Sequence, residues 1–306
     1  GWVTGVDPIA AGGRRPILAV RFADADPIVV RRGDDAAAVE TEAELLATVA
    51  SETTVPAPAP LGWGPSPDGP GGWLATPLVA GDDLHERFVA FDPPARRDLA
   101  AAFGRFLGEL HAAFRFDEYG PLGVDAGELR AVNRSQPARS DRTAAWRDWI
   151  TARGRERLDR LPAAFADVAD AARGRLDAWT PETAPTPRLF PWDFRPGNAL
   201  VAGDTIAAVV DWEAPLAAGA ALSVAKTEYL LADWFVPDEA DGLRRAFRDG
   251  YREARPLPTV DDVHRIVAIA ETAVDSHGVV TNPRYPPVGR DEAVRFHRRH
   301  LQDAVY

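Results

Sequence analysis

The spacing of apolar positions changes along the chain. Short β-branched runs mark the first third, at Ile17–Phe22, at 27–31 and at 73–79, and spacings of three and four dominate afterwards. The acidic, small-residue stretch Ala23-Asp24-Ala25-Asp26 between the first two runs predicts a hairpin. Val39, Leu45, Leu46 and Val49, with good helix formers between them, predict one helix over 36–50. The Pro/Gly-rich stretch from Val55 to Gly72 cannot sustain a helix and predicts a loop with strand ends. The run 73–79 stops at Ala80-Gly81, and Gly81 is the expected hinge between an N-terminal lobe and the rest.

Beyond residue 80 the pattern is mainly helical. Leu99, Phe103, Phe106, Leu107, Leu110 and Phe114 form one continuous apolar face, with Asp92 or Asp98 able to start the helix. Further helices are expected near 143–160, 163–178, 219–233, 239–254, 260–276 and 290–303. Inside this helical part lies an island of strand, 188–190, 198–201 and 206–210, turning at Gly203-Asp204. Strand ends hold side chains more tightly than loops do, so charged residues framed by short strands are where chemistry is sought.

Composition narrows the classes. A chain of 306 residues can bury a large core without staples. It contains no Cys, which excludes thiol nucleophiles and Cys-ligated metal sites. A net charge of −11 argues against a general nucleic-acid-binding surface, since a phosphate backbone requires clustered positive charge. No apolar run approaches the ~20 residues of a spanning helix, and no secretory leader is evident, so a cytoplasmic protein with no membrane partner is expected. Lys226 is the single lysine, read here as a structural ion pair with a neighbouring acid. His297 and His300 are expected to form a surface cluster with Arg298 and Arg299, and Trp146, Trp149, Trp234, Phe235 and Tyr251 to belong to the core.

The island reads Leu189-Phe190-Pro191-Trp192-Asp193-Phe194-Arg195-Pro196-Gly197-Asn198, then Val210-Asp211-Trp212-Glu213 after the hairpin. Asp193 and Asn198 have the D-x-x-x-x-N spacing of a kinase catalytic loop, in which the Asp accepts or orients a hydroxyl proton and the Asn oxygen binds Mg²⁺. Asp211, ending an apolar strand, is placed to hold the metal on nucleotide phosphates. An isolated Asp and Asn at this spacing would more often be a solvated turn. The strand-turn-strand ending on Asp211-Trp212-Glu213, with a β-rich segment upstream, decides for chemistry.

At these residues the chain resembles the aminoglycoside phosphotransferase/choline kinase-like family. That family's loop is commonly H-G-D-x-x-x-x-N, followed by a hairpin and I-D-W/F-E. The resemblance implies an α+β, two-lobe protein-kinase-like fold: an antiparallel N-lobe with one helix over 1–79, and a mainly helical C-lobe over 80–306. It implies Asp193 as catalytic base and Asn198 with Asp211 as Mg²⁺ ligands. Gly12 and Gly13 would lie in the nucleotide-covering loop. Arg31 would touch phosphate in place of the usual Lys, with Glu42 as its ion-pair partner and Glu40 and Glu44 as rivals. Pro77 and Val79 would lie in the purine-binding hinge.

The implied activity is Mg²⁺-dependent transfer of the γ-phosphoryl of ATP or GTP to a hydroxyl of a small molecule, by a monomer or homodimer. Acids on the C-terminal helices, Glu271 and Asp275 among them, suit a cationic acceptor. Two departures matter. Pro191 and Trp192 replace the His and Gly before the catalytic Asp, and Gly219 to Ala225 lacks the acids of the family's G-D-P-x-x-D-L-A segment. They motivate the alternative of a catalytically silent nucleotide- or metabolite-binding protein on the same fold.

Overall fold

Val3–Ile9 (β1), Ile17–Phe22 (β2), Ile28–Gly33 (β3), Gly62–Pro65 (β4) and Gly72–Pro77 (β5) pair antiparallel into one sheet in the order β1-β2-β3-β5-β4. The computed structural model describes residues 1–9, 17–132, 141–282 and 284–306. Helix α1 (Ala36–Glu52) follows β3 and is capped by Asp35, whose carboxylate accepts the Ala37 N–H at 2.9 Å. Its Val39, Leu45, Leu46 and Val49 are buried, as the periodicity predicts.

Gly81 lies where the chain leaves this sheet. Immediately after it, Asp82–Asp83 (β6) pairs with Ala199–Ala202 (β10), which with Thr205–Val209 (β11) makes a three-stranded sheet. A short helix, Leu84–Arg87 (α2), precedes the long α3 (Pro93–Ala113), which Asp92 caps from the Ala95 N–H at 2.9 Å. Leu99, Phe103, Phe106, Leu107 and Leu110 bury the predicted face. Helix α3 packs on α7 (Ala240–Ala254) with backbones almost touching: a Cβ on Gly104 would lie 1.9 Å from the Phe247 carbonyl oxygen, and one on Gly250 would lie 2.0 Å from that of Ala101.

The remaining helices are α4 (Arg142–Asp159), α5 (Ala166–Ala178), α6 (Ala220–Glu228), α8 (Asp262–Ala273) and α9 (Arg290–Val305). All lie within a few residues of the expected positions. Helix α6 continues into a π-helical turn, Tyr229–Asp233. A further sheet, which the apolar pattern does not predict as such, orders Glu128–Ala131 (β8), Gly120–Asp125 (β7), Leu216–Gly219 (β12) and Pro187–Phe190 (β9). Its strand β12 is Leu-Ala-Ala-Gly, fully buried between β7 and β9. Alanine carries no strand signal, so only pairing from both sides makes it one. Strand β1 was also missed, because it is an exposed edge whose Gly, Asp and Pro show no alternation.

The two histidines near the C-terminus are not a surface cluster. His297 is fully buried, bonded to the Tyr229 hydroxyl at 2.8 Å, and His300 is half-buried beside Asp233. Residues 297 and 300 fall on the inner face of α9, an assignment that neighbouring Arg298 and Arg299 disguise in sequence. Among the described residues no helix is long and apolar enough to cross a membrane.

Candidate active site

Strand β9 delivers the chain to Pro191, after which Trp192 takes a positive φ of 37° and turns Asp193 off the strand line. Pro196–Asn198 forms a single 3-10 turn, closed by the Asn198 N–H on the Arg195 carbonyl at 3.0 Å. The hairpin β10-β11 then returns the chain beside its own start. Gly203, at φ 64°, makes the reversal, and the Val210 N–H donates to the Asn198 carbonyl at 2.8 Å. This last bond places Asp211 next to Asn198. Asp211 and Ala214 hold φ values of 65° and 52°. Such conformations cost about 1–3 kcal/mol at residues with a Cβ and concentrate at functional sites.

Each side chain has a specific anchor. Asn198 Nδ2 donates to the Asp193 carbonyl at 2.9 Å, which fixes the amide and leaves Oδ1 as an acceptor. Trp212 packs inward, its indole N–H on the Val209 carbonyl at 2.9 Å, and Phe194 lies between Trp212 and Phe103. Alternation along 210–213 buries Trp212 and leaves the Asp211 residue open to solvent at the cleft.

The electrostatics separate the two aspartates. Burial pushes the Asp211 carboxyl up to about 6, helped by the negative charges of Glu213 and Asp193, with Arg31 and Arg195 drawing it back. Burial acts on Asp193 in the same direction. There the charges of Lys226 and Arg195, with a hydrogen bond from Lys226, outweigh it and hold the group below the ordinary carboxylate range.

The structure brings Asp193, Asn198 and Asp211 together and adds Arg31 from β3. Arg31 forms an ion pair with Glu42 of α1, whose side chain is buried, while Glu40 and Glu44 are half-buried on other faces of the helix. Pro77 ends β5 opposite Ile28, and the Leu78 N–H donates to the Pro27 carbonyl at 3.0 Å, so Val79 is the first residue free of the sheet. Gly12 and Gly13 lie outside the described residues.

One expectation is corrected, and a second residue has a local role. Glu271 is not on an acceptor-facing surface: its side chain is fully occluded, in an ion pair with Arg153 and with Lys226 Nζ 3.8 Å away. Asp275 closes a turn, its Oδ1 accepting the His277 and Val279 N–H groups at 2.7 and 3.0 Å. For Glu271, charge in a helical segment does not distinguish a cleft-facing acid from one with an internal partner.

Two cations stand beside Asp193. Lys226 does pair with an acid, but the acid is Asp193, at 2.9 Å. Arg195, two residues along the loop, has Nε 4.0 Å from the other Asp193 oxygen. A signal for Arg195 existed in its position between Asp193 and Asn198. For Lys226 there was none beyond its being the sole lysine.

A cavity of about 640 Å³ between α6, α7, α8 and α9 is lined by none of these residues. Its Arg248 is bonded to both Glu228 oxygens at 2.6 and 2.9 Å and its Arg244 to Asp233, so the charges that line it largely satisfy one another.

A family model described as a phosphotransferase enzyme family matches residues 7–257. No curated protein matches the sequence. Among solved structures, aminoglycoside phosphotransferase APH(4)-Ia is similar with a TM-score of 0.67 at 16% identity, covering 99% of this chain and 94% of that one. A thermostable mutant of the same enzyme, in ternary complex with ADP and hygromycin B, gives 0.65 at 16% identity over the same shares. The GDP complex of a mutant aminoglycoside 2'-phosphotransferase IIIa gives 0.58 at 16%, covering 99% and 88%. At these identities the likeness establishes the kinase-like fold.

Proposed function

Since the chain belongs to the phosphotransferase enzyme family, whose model spans most of its length, we propose that it moves the γ-phosphoryl of ATP or GTP to a hydroxyl of a small molecule. The observation that carries this is the meeting of Asp193, Asn198 and Asp211 on one braced hairpin, with Arg31 close enough to act on Asp211. In this reading residues 1–79 form the nucleotide-covering lobe and 80–306 the catalytic one. Arg31, oriented by Glu42, binds phosphate, and the chain at Pro77 to Val79 receives the base.

The donor set fits Mg²⁺. It is made of hard oxygens, an amide Oδ1 fixed by its own Nδ2 bond and a carboxylate crowded by Glu213 and Asp193, where a cation relieves repulsion. Asn198 and Asp211 would hold the ion, which supplies charge neutralisation on the phosphates when bound. The protein's own work is positioning: Asp193 receives the acceptor hydroxyl, and Arg31 and Arg195 bring positive charge to a site whose carboxylates would otherwise repel a nucleotide.

The nucleotide and acceptor classes are supported by the ADP, GDP and hygromycin B named for the similar structures. Hygromycin B, being hydroxylated and cationic, is the first acceptor to try. Asp193→Ala tests the reading: it is expected to lower transfer roughly 1,000-fold while Mg-nucleotide still binds by calorimetry. A fully active variant would sink the assignment, and a wild-type protein that binds Mg-ATP without turning over any acceptor would favour the silent alternative suggested by Pro191 and Trp192.

A further inference from the structure

Lys226 is the one lysine among 35 basic residues, and it is buried, with only 3% of its side chain exposed. It rises from α6 to three partners. Its Nζ is 2.9 Å from Asp193 Oδ1, 3.8 Å from Glu271 Oε2 and 4.1 Å from the centre of the Trp192 ring. Arg153 is paired with the same Glu271 and lies 5.0 Å from the Trp192 ring centre. Two cations therefore share the fully occluded Glu271, and the excess positive charge is delivered to Asp193.

An ion pair that serves only the fold is satisfied at both ends. This one is closed at the lysine and open at the aspartate: 31% of the Asp193 side chain remains exposed, and its Oδ2 has Arg195 no nearer than 4.0 Å. Burying an ammonium is costly unless it is paired and its surroundings are polarisable, which Glu271 and the face of Trp192 provide here. Trp192 stands where the resemblance expects a Gly, so the loop's main departure and the lysine are parts of one arrangement. A compact ammonium also suits the space between ring and carboxylate better than a planar guanidinium.

We propose that Lys226 is a positioning residue for phosphoryl transfer, clamping Asp193 through Oδ1 so that Oδ2 is presented to the acceptor hydroxyl. The inference rests on the phosphotransferase reading above. In the step it serves, the acceptor O–H bond breaks and its proton passes to Asp193 Oδ2. The acceptor oxygen forms a bond to the γ-phosphorus, the bond from that phosphorus to the bridging oxygen breaks, and the nucleoside diphosphate leaves with the electron pair. Lys226 keeps its protons throughout.

The experiment is a double-mutant cycle on the full chain with Lys226→Met, Asp193→Asn and the pair. It is read as kcat and KM for Mg-ATP with hygromycin B as acceptor, with ATP hydrolysis in water as the parallel measure and thermal melting as the folding control. Methionine keeps the length and apolar contact with Trp192. Lys226→Met is expected to lower kcat about 100-fold with KM for ATP within threefold, as for a group that acts on the transition state and not on binding. Added to Asp193→Asn, it is expected to lower kcat no further than threefold, because its effect runs through the carboxylate already removed.

Multiplicative losses in the cycle would overturn the inference, as would a Lys226→Met variant with wild-type kcat or one changed only in KM. Addition of propylammonium to folded Lys226→Ala gives an independent readout: saturable recovery of kcat supports the clamp, and no recovery beyond that seen with tetramethylammonium counts against it. A wild-type protein that turns over neither substrate overturns both this inference and the parent reading. An active wild type with an insensitive Lys226→Met overturns only this one.

Discussion

Acidification from pH 6 to pH 4 is expected to remove a large share of the protein's stability, and the responsible groups are three buried histidines and the half-buried His300. Burial holds His111 down to about 3 and His264, His297 and His300 down to about 4, with neighbouring arginines adding to the effect at His111 and His300. These bases are neutral in the folded state. Their contribution is present above the unfolded value near 6.5 and is lost as pH falls toward 4, because the unfolded chain takes up four protons that the folded one refuses. Asp233 and Asp211, both raised to about 6 mainly by desolvation, oppose this by holding between one and two protons in the folded state over the same interval, Asp211 less than a full one because it is open to solvent.

The net difference is about two protons, or roughly 2.7 kcal/mol per pH unit and about 5 kcal/mol across the interval. That is comparable to the whole stability of an ordinary domain, about 5–15 kcal/mol. The sharpest perturbation is His264→Gln. His264 sits at the third position of α8, and its Nδ1 accepts the Asp261 N–H at 3.0 Å in a capping box. Gln is a residue that makes this contact without titrating.

Urea unfolding of the metal-free protein, followed by tryptophan fluorescence at pH 6, 5 and 4, should show the variant's slope reduced by about 1.4 kcal/mol per pH unit, about half. Lost contacts of the His264 ring with Trp146 and Trp179 add an offset that does not depend on pH. An unchanged slope, or a wild-type stability flat between pH 6 and 4, would refute the reasoning.

Two further outcomes follow from the fold and the site. Glu42→Gln breaks a buried ion pair and releases Arg31, so nucleotide affinity by calorimetry should fall roughly 10- to 100-fold and stability by about 3 kcal/mol; wild-type affinity would remove Arg31 from the phosphate site. Gly250→Ala forces a Cβ into the Ala101 carbonyl and should cost about 3 kcal/mol or more in urea unfolding, whereas Gly242→Ala on the same helix, with open space around it, should be neutral or stabilising by up to about 1 kcal/mol. Equal effects at the two glycines would contradict the close α3-α7 crossing.

Much of the architecture was readable from periodicity because burial imposes it. The apolar face of α3 and its cap Asp92 need no tertiary information, and the hairpin around Gly203 is declared by strand, turn and strand. At two strands the signal was absent. Strand β12 has helix-forming composition and is a strand only because β7 and β9 flank it, and β1 is an edge with no buried face to pattern. His297 looked exposed because its neighbours are arginines, although its own position faces Tyr229.

The candidate site divides in the same way. By itself the sequence determined which oxygens are available, because Asp193, Asn198 and Asp211 lie on one local hairpin whose hydrogen bonds bring them together within 19 residues of chain. Only the tertiary structure decided which charges act on them. Arg31 arrives from β3, Lys226 from α6 and Glu271 from α8, and no spacing rule links residues so far apart in the chain. Hydrogen-bonded turns are local and leave a motif. Ion pairs act through space, and the acid that faces Lys226 is set by how α6 and α8 pack against the loop.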